Sequence, residues 1–140
     1  MTAEIVYQGN LRTVAKHVQS GSTIETDAPT DNQGKGERFS PTDLLATSLG
    51  ACMMTVMGIK ARDMGLNLEN TRIEVTKIMA SDPRRVSGIK VHIYFPENTE
   101  VDEKQRTILE RTAITCPVQM SIHPEIGIEL EFNWGEGDSE

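Results

Sequence analysis

Two cysteines are the residues of this sequence best suited to redox chemistry. Cys52 lies inside an apolar segment, and Cys116 is followed directly by Pro117. A thiolate can be oxidised to a sulfenic acid, and a second thiol can then condense with it to form a disulfide. Each cysteine taken alone is about equally well explained as a small buried apolar side chain. A reversible disulfide between them is therefore one hypothesis, beside two inert thiols.

The two thiols are expected to be activated in different ways. Proline suits the first position of a helix, so Cys116 is placed at a helix N-terminus, where unpaired N–H groups and the helix dipole favour a thiolate. Cys52 needs a nearby cation instead. Arginine stays charged when partly buried, and Arg12 and Arg38 are candidates, although each is by default a surface residue.

The histidines offer weaker alternatives. His123 follows Cys116 closely, so it could form a nucleophile pair with that thiol or a metal site that includes Cys52. Neither shows ligand spacing such as CxxC or HExxH, so we expect neither a Cys–His nucleophile pair nor a metal site. His92 is predicted on the outward, solvated face of a strand, and the position of His17 is ambiguous.

Composition limits the possible partners and compartment. The chain has 140 residues and a net charge of −7, which predicts one domain over 1–140 and argues against a nucleic-acid partner. The N-terminus lacks the pattern of a secretory signal, so we expect a cytoplasmic, reducing compartment without a permanent disulfide. The apolar run 44–59 is shorter than the roughly 20 residues of a membrane span, so no membrane association is expected.

Hydrophobic periodicity predicts an α+β order of strands, helix, strands, helices and strand. A long helix is predicted to start at Ser40-Pro41 and to end near Met64, and to be buried on nearly all sides. So short a chain cannot cover such a helix alone, so we expect a second subunit related by two-fold symmetry. The acidic tail 135–140 is expected to fray. Strands are predicted at 5–7, 13–18, 22–26, 72–79, 89–95 and 126–132, surface helices at 102–113 and from 116, and a long loop at 27–40.

Two sequence motifs resemble those of one family. The stretch FSPTDLLATSLGAC, which ends at Cys52, resembles the signature of the OsmC/Ohr family, the osmotically inducible and organic hydroperoxide resistance proteins. The stretch TCPV around Cys116 resembles the same family's second cysteine motif. The order of strands and helices also fits, so the resemblance covers nearly the whole chain.

The resemblance implies an OsmC-like fold of antiparallel sheets around a long buried central helix, in an intertwined homodimer. It implies that Cys52 attacks an organic hydroperoxide and that Cys116 resolves the sulfenate to a disulfide. Arg12 would hold the Cys52 thiolate. A dithiol such as dihydrolipoamide would supply electrons, without a metal or an organic cofactor.

One position departs from the family pattern. Family peroxidases carry a glutamate directly after the helix-starting proline, where it orients the arginine, and this sequence has Thr42 there. Asp43, one residue later, and Glu37, in the preceding loop, are the candidates for that role. Two hypotheses follow, a thiol-dependent peroxidase of the oxidative stress response and a non-catalytic redox-sensing or ligand-binding homodimer. Apolar side chains near the thiol, Met53, Met54 and Met57, would favour organic peroxides over hydrogen peroxide.

Overall fold

The structure, a computed structural model, describes residues 1–135. Residues 136–140, most of the predicted acidic tail, lie outside the described part of the chain. The chain forms two compact units, an N-terminal unit of Met1–Leu45 and a C-terminal unit that begins at Ala46. The expectation of one domain over 1–140 stays a prediction.

The N-terminal unit contains a three-stranded antiparallel sheet in the order β1-β2-β3. Its strands are β1 (Ala3–Gly9), β2 (Arg12–His17) and β3 (Thr23–Asp27). A long loop with a 3₁₀ turn at Thr30–Asn32 leads from β3 to the first helix. Glycine is required at Gly34, because a Cβ there would stand 1.8 Å from the carbonyl oxygen of Ala28.

The C-terminal unit contains a second three-stranded sheet, in the order β4-β5-β6. Its strands are β4 (Arg72–Ala80), β5 (Arg85–Tyr94) and β6 (Gly127–Asn133), and helices α2 (Glu103–Ala113) and α3 (Pro117–Ser121) lie between β5 and β6. The β4–β5 pair is antiparallel, but β5 and β6 are parallel. This pair departs from the predicted antiparallel sheets, because a crossover through two helices returns the chain in the same direction.

Helix α1 spans Pro41–Asp63, close to the predicted bounds. Its N-terminus is capped reciprocally, as the Asp43 N–H donates to Ser40 Oγ at 3.0 Å and the Ser40 N–H donates to Asp43 Oδ2 at 2.9 Å. Side-chain acceptors of this kind satisfy N–H groups that have no partner within a helix. The predicted helix start is therefore confirmed.

Helix α1 is buried on one face only. The β4 strand packs against that face at Gly50, where an added Cβ would lie 2.8 Å from Val75 Cγ2. On the opposite face Thr55 is exposed and Ile59 is 57% exposed. In the single chain one sheet covers only one face, as expected for a helix that a second subunit would cover, and burial on nearly all sides stays a prediction. The buried residues of α1 are Ala46, Leu49, Gly50, Met53, Met57 and Ala61.

By length and composition alone, α1 could cross a membrane, with a mean hydropathy of 1.5 over an 18-residue window. Its buried row packs instead into the core of the C-terminal unit, as in a core helix of a soluble protein. Strand β5 and helix α2 also contribute buried apolar side chains to this unit, and the rings of Phe95 and Trp134 stack at 3.7 Å. The buried residues of β5 and α2 include Ile89, Val91, Ile93, Leu109 and Ala113.

Candidate active site

The C-terminal unit brings the two cysteines together. Cys52 lies in the fourth turn of α1, and Cys116 lies just before α3, yet the two thiols are close enough to interact electrostatically. Both are free thiols. We call Cys52 and Cys116 the thiol pair. A disulfide between them would need their two Cβ atoms close to each other.

Cys116 is the buried member of the thiol pair. It is 0% exposed and occupies the N-cap position of α3, where its Sγ accepts the Gln119 N–H at 3.4 Å. Burial raises the pKa of the Cys116 thiol, and interaction with Cys52 raises it further. Hydrogen bonds from the N–H groups of Gln119 and Val118 oppose this rise. The predicted position at a helix start is confirmed. The expectation that this helix start would favour a thiolate is wrong, because desolvation outweighs the N–H groups.

Cys52 is the more accessible member of the thiol pair. It is half-buried, between exposed Ala51 and fully buried Met53. It therefore sits at the border between the packed and the open faces of α1. Met57 is also fully buried, so two of the three predicted apolar site residues belong to the core, and only Met54 is half-buried beside Cys52.

Arg12 belongs to a separate charged cluster in the N-terminal unit. Its Nε lies 2.7 Å from Asp27 Oδ1 and its Nη2 lies 2.7 Å from Asp27 Oδ2, a bidentate fork. The same Nη2 lies 3.1 Å from Glu37 Oε1. We call Arg12, Asp27 and Glu37 the Arg12 cluster. Hydrogen bonds from Arg12 lower the pKa of Asp27, although burial of the carboxylate acts in the opposite direction.

Asp27 was not among the site residues predicted from the sequence. A detectable signal existed in the strand pattern, because Arg12 opens β2 and Asp27 closes β3, and the two face each other in the antiparallel register. Opposite charges directly across two strands attract each other. The hairpin lengths that set this register could not be read with enough accuracy from the sequence.

The residues suggested as carboxylate partners of Arg12 have different positions. Glu37 does contact Arg12, but its side chain is 60% exposed. The Asp43 carboxylate accepts the Ser40 N–H at the start of α1, and the Thr42 hydroxyl lies 3.3 Å from Ser40 Oγ. The other candidate cation, Arg38, pairs with Glu25 at 2.6 Å.

The histidines interact with residues outside the thiol pair and the Arg12 cluster. His17 contacts Ser20 in a hairpin turn, and His123 Nδ1 accepts the Glu125 N–H at 3.0 Å. His92 is half-buried rather than solvated, because its ring lies between Glu129 and Glu131 of β6. Within residues 1–135, no group of three His, Cys, Asp or Glu side chains could hold a metal ion.

Cavities lie in the described part of both units. One of about 490 Å³ lies between segments 65–70 and 96–100 of the C-terminal unit, and its lining is polar and contains no thiol. A smaller one, of about 160 Å³, lies at the β1–β2 hairpin and is lined by Arg12, Lys35 and residues 8–10. Of the two, only the smaller includes a residue predicted for the site.

The C-terminal unit of this α+β chain thus holds a buried thiol near a half-buried one. The model of one family, the OsmC-like proteins, matches residues 34–131. The chain therefore belongs to the OsmC-like family, and the suspected resemblance is confirmed.

Solved structures agree with this assignment. A Psychrobacter arcticus 273-4 protein assigned to the osmotic stress induced and detoxification response is 56% identical, with a TM-score of 0.90, and the match covers 95% of this chain and 96% of that one. The organic hydroperoxide resistance protein OsmC of Legionella pneumophila is 17% identical, with a TM-score of 0.73 and coverages of 94% and 95%. The organic hydroperoxide resistance protein OhrB of Bacillus subtilis is 15% identical, with a TM-score of 0.63 and coverages of 95% and 98%. The last two show the shared fold. Among curated proteins, none matches this sequence.

Proposed function

We propose that this protein is a thiol-dependent peroxidase that reduces organic hydroperoxides to alcohols. The observation that carries the proposal is the thiol pair, in which a half-buried thiol lies near a fully buried one that is far away in sequence. The accessible thiol, Cys52, is the peroxidatic residue, and the buried thiol, Cys116, is the resolving residue. Membership in a family that includes organic hydroperoxide resistance proteins supports the same chemistry.

The reaction proceeds in two balanced steps. The Cys52 thiolate attacks the distal peroxide oxygen, the O–O bond breaks, and the alkoxide takes up a proton and leaves as the alcohol. Cys52 is now a sulfenic acid, oxidised by two electrons. Cys116 attacks its sulfur, an S–S bond forms, and the hydroxyl group leaves with the thiol proton as water. A dithiol of the lipoyl type, or another thiol, then returns the two electrons.

The different environments of the two thiols suit these roles. A buried, protonated Cys116 does not compete for the peroxide, because the thiolate is the nucleophile. Its proton is available when the hydroxyl group departs. Cys52 needs a cation to remain ionised, and we assign this role to Arg12, of the same or of the partner chain, as the family resemblance implies.

Stopped-flow oxidation by cumene hydroperoxide tests the proposal. Cys52→Ser is expected to abolish the fast reaction, because the nucleophile is gone. The matched variant Cys116→Ser is expected to keep the first step and to stop at a sulfenic acid, which dimedone traps on Cys52. If Cys52→Ser reacts as fast as the parent, the proposed function is wrong.

A homodimer is part of the proposal. Ile5, Ala15 and Ile24 stand opposite one another on three adjacent strands, and Ile5 is 65% and Ile24 50% exposed. Exposed apolar rows of this kind are typical of protein interfaces. We assign the covering surface to a second copy of the chain.

Light scattering of the purified protein tests this assembly. The parent is expected to have the mass of two chains, and Ile24→Glu is expected to lower it, because a charge would enter an apolar interface. Thr23→Glu is the control, because Thr23 directly precedes Ile24 in the same strand and lies on the opposite face. A parent of single-chain mass would contradict the dimer.

A cytoplasmic location also belongs to the proposal, with no nucleic-acid or membrane partner. The net charge of −7 supports the absence of a nucleic-acid partner, since binding to phosphate groups needs clustered cations. A reducing compartment also keeps the thiol pair available for turnover.

A non-catalytic, redox-sensing homodimer is the second candidate function. The Arg12 cluster favours it, because two carboxylates partly neutralise the guanidinium that a peroxidatic thiolate would need. The same stopped-flow experiment separates the two candidates. A sensor would form the disulfide slowly and without turnover when excess dithiol is supplied.

A further inference from the structure

The small cavity at the β1–β2 hairpin has an unusual lining for so acidic a chain. The whole sequence carries a net charge of −7, yet the cavity is lined by two cations and, within residues 1–135, by no carboxylate. The cations are Arg12 and Lys35, and the other lining residues are Gln8, Gly9 and Asn10. All of them belong to the N-terminal unit. A concave surface lined by charges of one sign concentrates ions of the opposite sign, so this cavity attracts anions.

The fork with Asp27 leaves one nitrogen atom of the Arg12 guanidinium unused. The contacts of Arg12 with Asp27 and Glu37 involve Nε and Nη2. In the part of the chain that the structure describes, Nη1 has no hydrogen-bond partner, so its two N–H groups can donate to another group. The bidentate contact also fixes the plane of the guanidinium. The direction of the Nη1 donors is therefore set before any ligand binds.

Lys35 brings the second positive charge to the cavity, from the long loop between β3 and α1. Its side chain is exposed, and it forms no ion pair or hydrogen bond with any described residue. An ammonium group has three donors and no acceptor. The charge of Arg12 is shared with two carboxylates, whereas the charge of Lys35 is not shared. An anion in the cavity would therefore meet one cation that is entirely available.

Ala28 holds the two walls of this cavity against each other. Its N–H donates to the Leu11 carbonyl of the hairpin at 3.1 Å, and its carbonyl accepts the Gly36 N–H of the loop at 3.2 Å. On the other side of Lys35, Gly34 packs so closely on the Ala28 carbonyl that a Cβ would have no room. The backbone on both sides of Lys35 is thus fixed beside the hairpin. A site whose walls are already in place loses little entropy when a ligand binds.

We propose that this cavity binds a tetrahedral oxyanion, either free phosphate or the phosphate group of a monoester. Its charged donors come from two separate elements, Arg12 from β2 and Lys35 from the loop. Gln8 and Asn10 can add amide N–H groups. Donors from different directions suit the oxygens of a tetrahedral anion. A carboxylate would prefer the forked edge of Arg12, which Asp27 already occupies.

The size of the cavity agrees with such a group. Its volume of about 160 Å³ corresponds to about five water molecules of the liquid, which leaves room for a phosphate group and little more. The rest of a monoester would have to extend into solvent. The inference goes beyond the proposed function, and it needs no residue of the C-terminal unit.

A titration followed by amide chemical shifts tests the site. Inorganic phosphate and glycerol phosphate are added separately to the isotope-labelled full chain at constant ionic strength. Saturable shifts are expected at the amides of Gly9, Asn10 and Lys35. Acetate and nitrate, which are planar anions, are expected to bind at least about tenfold more weakly than the better phosphate probe. The probe that binds more tightly identifies the source of the phosphate group.

Substitutions of single cations separate a built site from general charge attraction. Lys35→Met is expected to weaken binding of the better probe by about tenfold, because a charge-assisted hydrogen bond is lost. Arg12→Lys keeps a positive charge beside Asp27 but removes Nη1, and a similar loss is expected. Lys16→Met is the matched control, because Lys16 is another exposed lysine of the same unit, on β2 and outside the cavity. Its affinity is expected to equal that of the parent.

Three results would each overturn the inference. The first is the absence of saturable shifts at the hairpin and Lys35 amides with both phosphate probes. The second is acetate or nitrate binding as tightly as the better phosphate probe. The third is an equal loss of affinity in Lys16→Met and Lys35→Met, which would mean diffuse attraction by surface charge. If Arg12→Lys does not fold, the two lysine variants still decide the question. No hydroperoxide is used, so these outcomes are independent of the proposed function.

Discussion

Asp27 and Cys116 are two buried acidic groups with opposite pKa shifts. Asp27 is 1% exposed and Cys116 is 0% exposed, so burial disfavours the charged form of both. Burial raises the pKa of Cys116, against weaker opposition from backbone N–H groups. The pKa of Asp27 is lowered, because its hydrogen bonds with Arg12 outweigh burial.

This comparison shows how the chain can keep one buried acid neutral and another ionised. Two N–H dipoles at the start of a five-residue helix do not compensate for the desolvation of a thiolate. A full positive charge in a bidentate fork does compensate for that of a carboxylate. The thiol pair therefore depends on packing, whereas the Arg12 cluster depends on charge.

The largest expected effect comes from removing the positive charge of the Arg12 cluster. Arg12→Met leaves the Asp27 carboxylate buried without its counter-charge, so the pKa of Asp27 should rise and the urea midpoint should fall more than in any other variant considered below. The double variant Arg12→Met/Asp27→Asn should recover part of the loss, because no unpaired charge remains. Arg38→Met, which breaks an exposed pair, should cost only about 0–1 kcal/mol. Equal losses of stability in Arg12→Met and Arg38→Met would contradict this difference between a buried and an exposed ion pair.

The packing of the C-terminal unit is tested by two glycines of α1. Gly50→Ala should cost about 1–3 kcal/mol of unfolding free energy, because the new methyl group meets the stiff Val75 side chain at 2.8 Å. Gly58→Ala meets nothing within 4 Å and should instead stabilise the helix by about 0.5–1 kcal/mol. Urea unfolding of both variants measures the difference. If both substitutions changed the free energy of unfolding in the same direction, α1 would not pack closely on β4.

The unequal accessibility of the thiol pair predicts an order of labelling. Iodoacetamide at pH 7.5 should modify Cys52 faster than Cys116, by about tenfold or more, since Cys116 reacts only after local opening. Peptide mass spectrometry over time measures both rates. In 6 M urea the two rates should become similar. Faster labelling of Cys116 in the folded protein would reverse the proposed roles of the two cysteines.

The smallest expected effects are the pH limits of stability. The lowered pKa of Asp27 contributes stability above about pH 4, which is lost as the pH falls through the folded-state pKa. The raised pKa of Cys116 contributes stability that is present below about pH 8.5 and is lost as the pH rises toward the folded-state pKa. Asp27→Asn should therefore flatten the acid limb and Cys116→Ser the alkaline limb. Urea midpoints from pH 3 to pH 10 measure both, and a variant that changes the other limb would contradict this assignment.

Local patterns were enough to predict most of the secondary structure. The start of α1 followed from Ser40 and Pro41, and the alternation along β5 predicted a strand that the structure confirms. These features depend on neighbours within a few residues, so the sequence carries them directly. The parallel β5–β6 pair did not follow from any local pattern, because strand direction depends on the path of the chain between two strands.

The sequence by itself determined the family, as two motifs singled out Cys52 and Cys116 as the candidates for redox chemistry. The tertiary structure alone decided their states. The pKa of Cys116 depends on how completely α3 and α1 exclude water, and the partner of Arg12 depends on the register of β2 and β3. Desolvation and pairing are set by groups that are remote in the chain, and no spacing along the sequence records them.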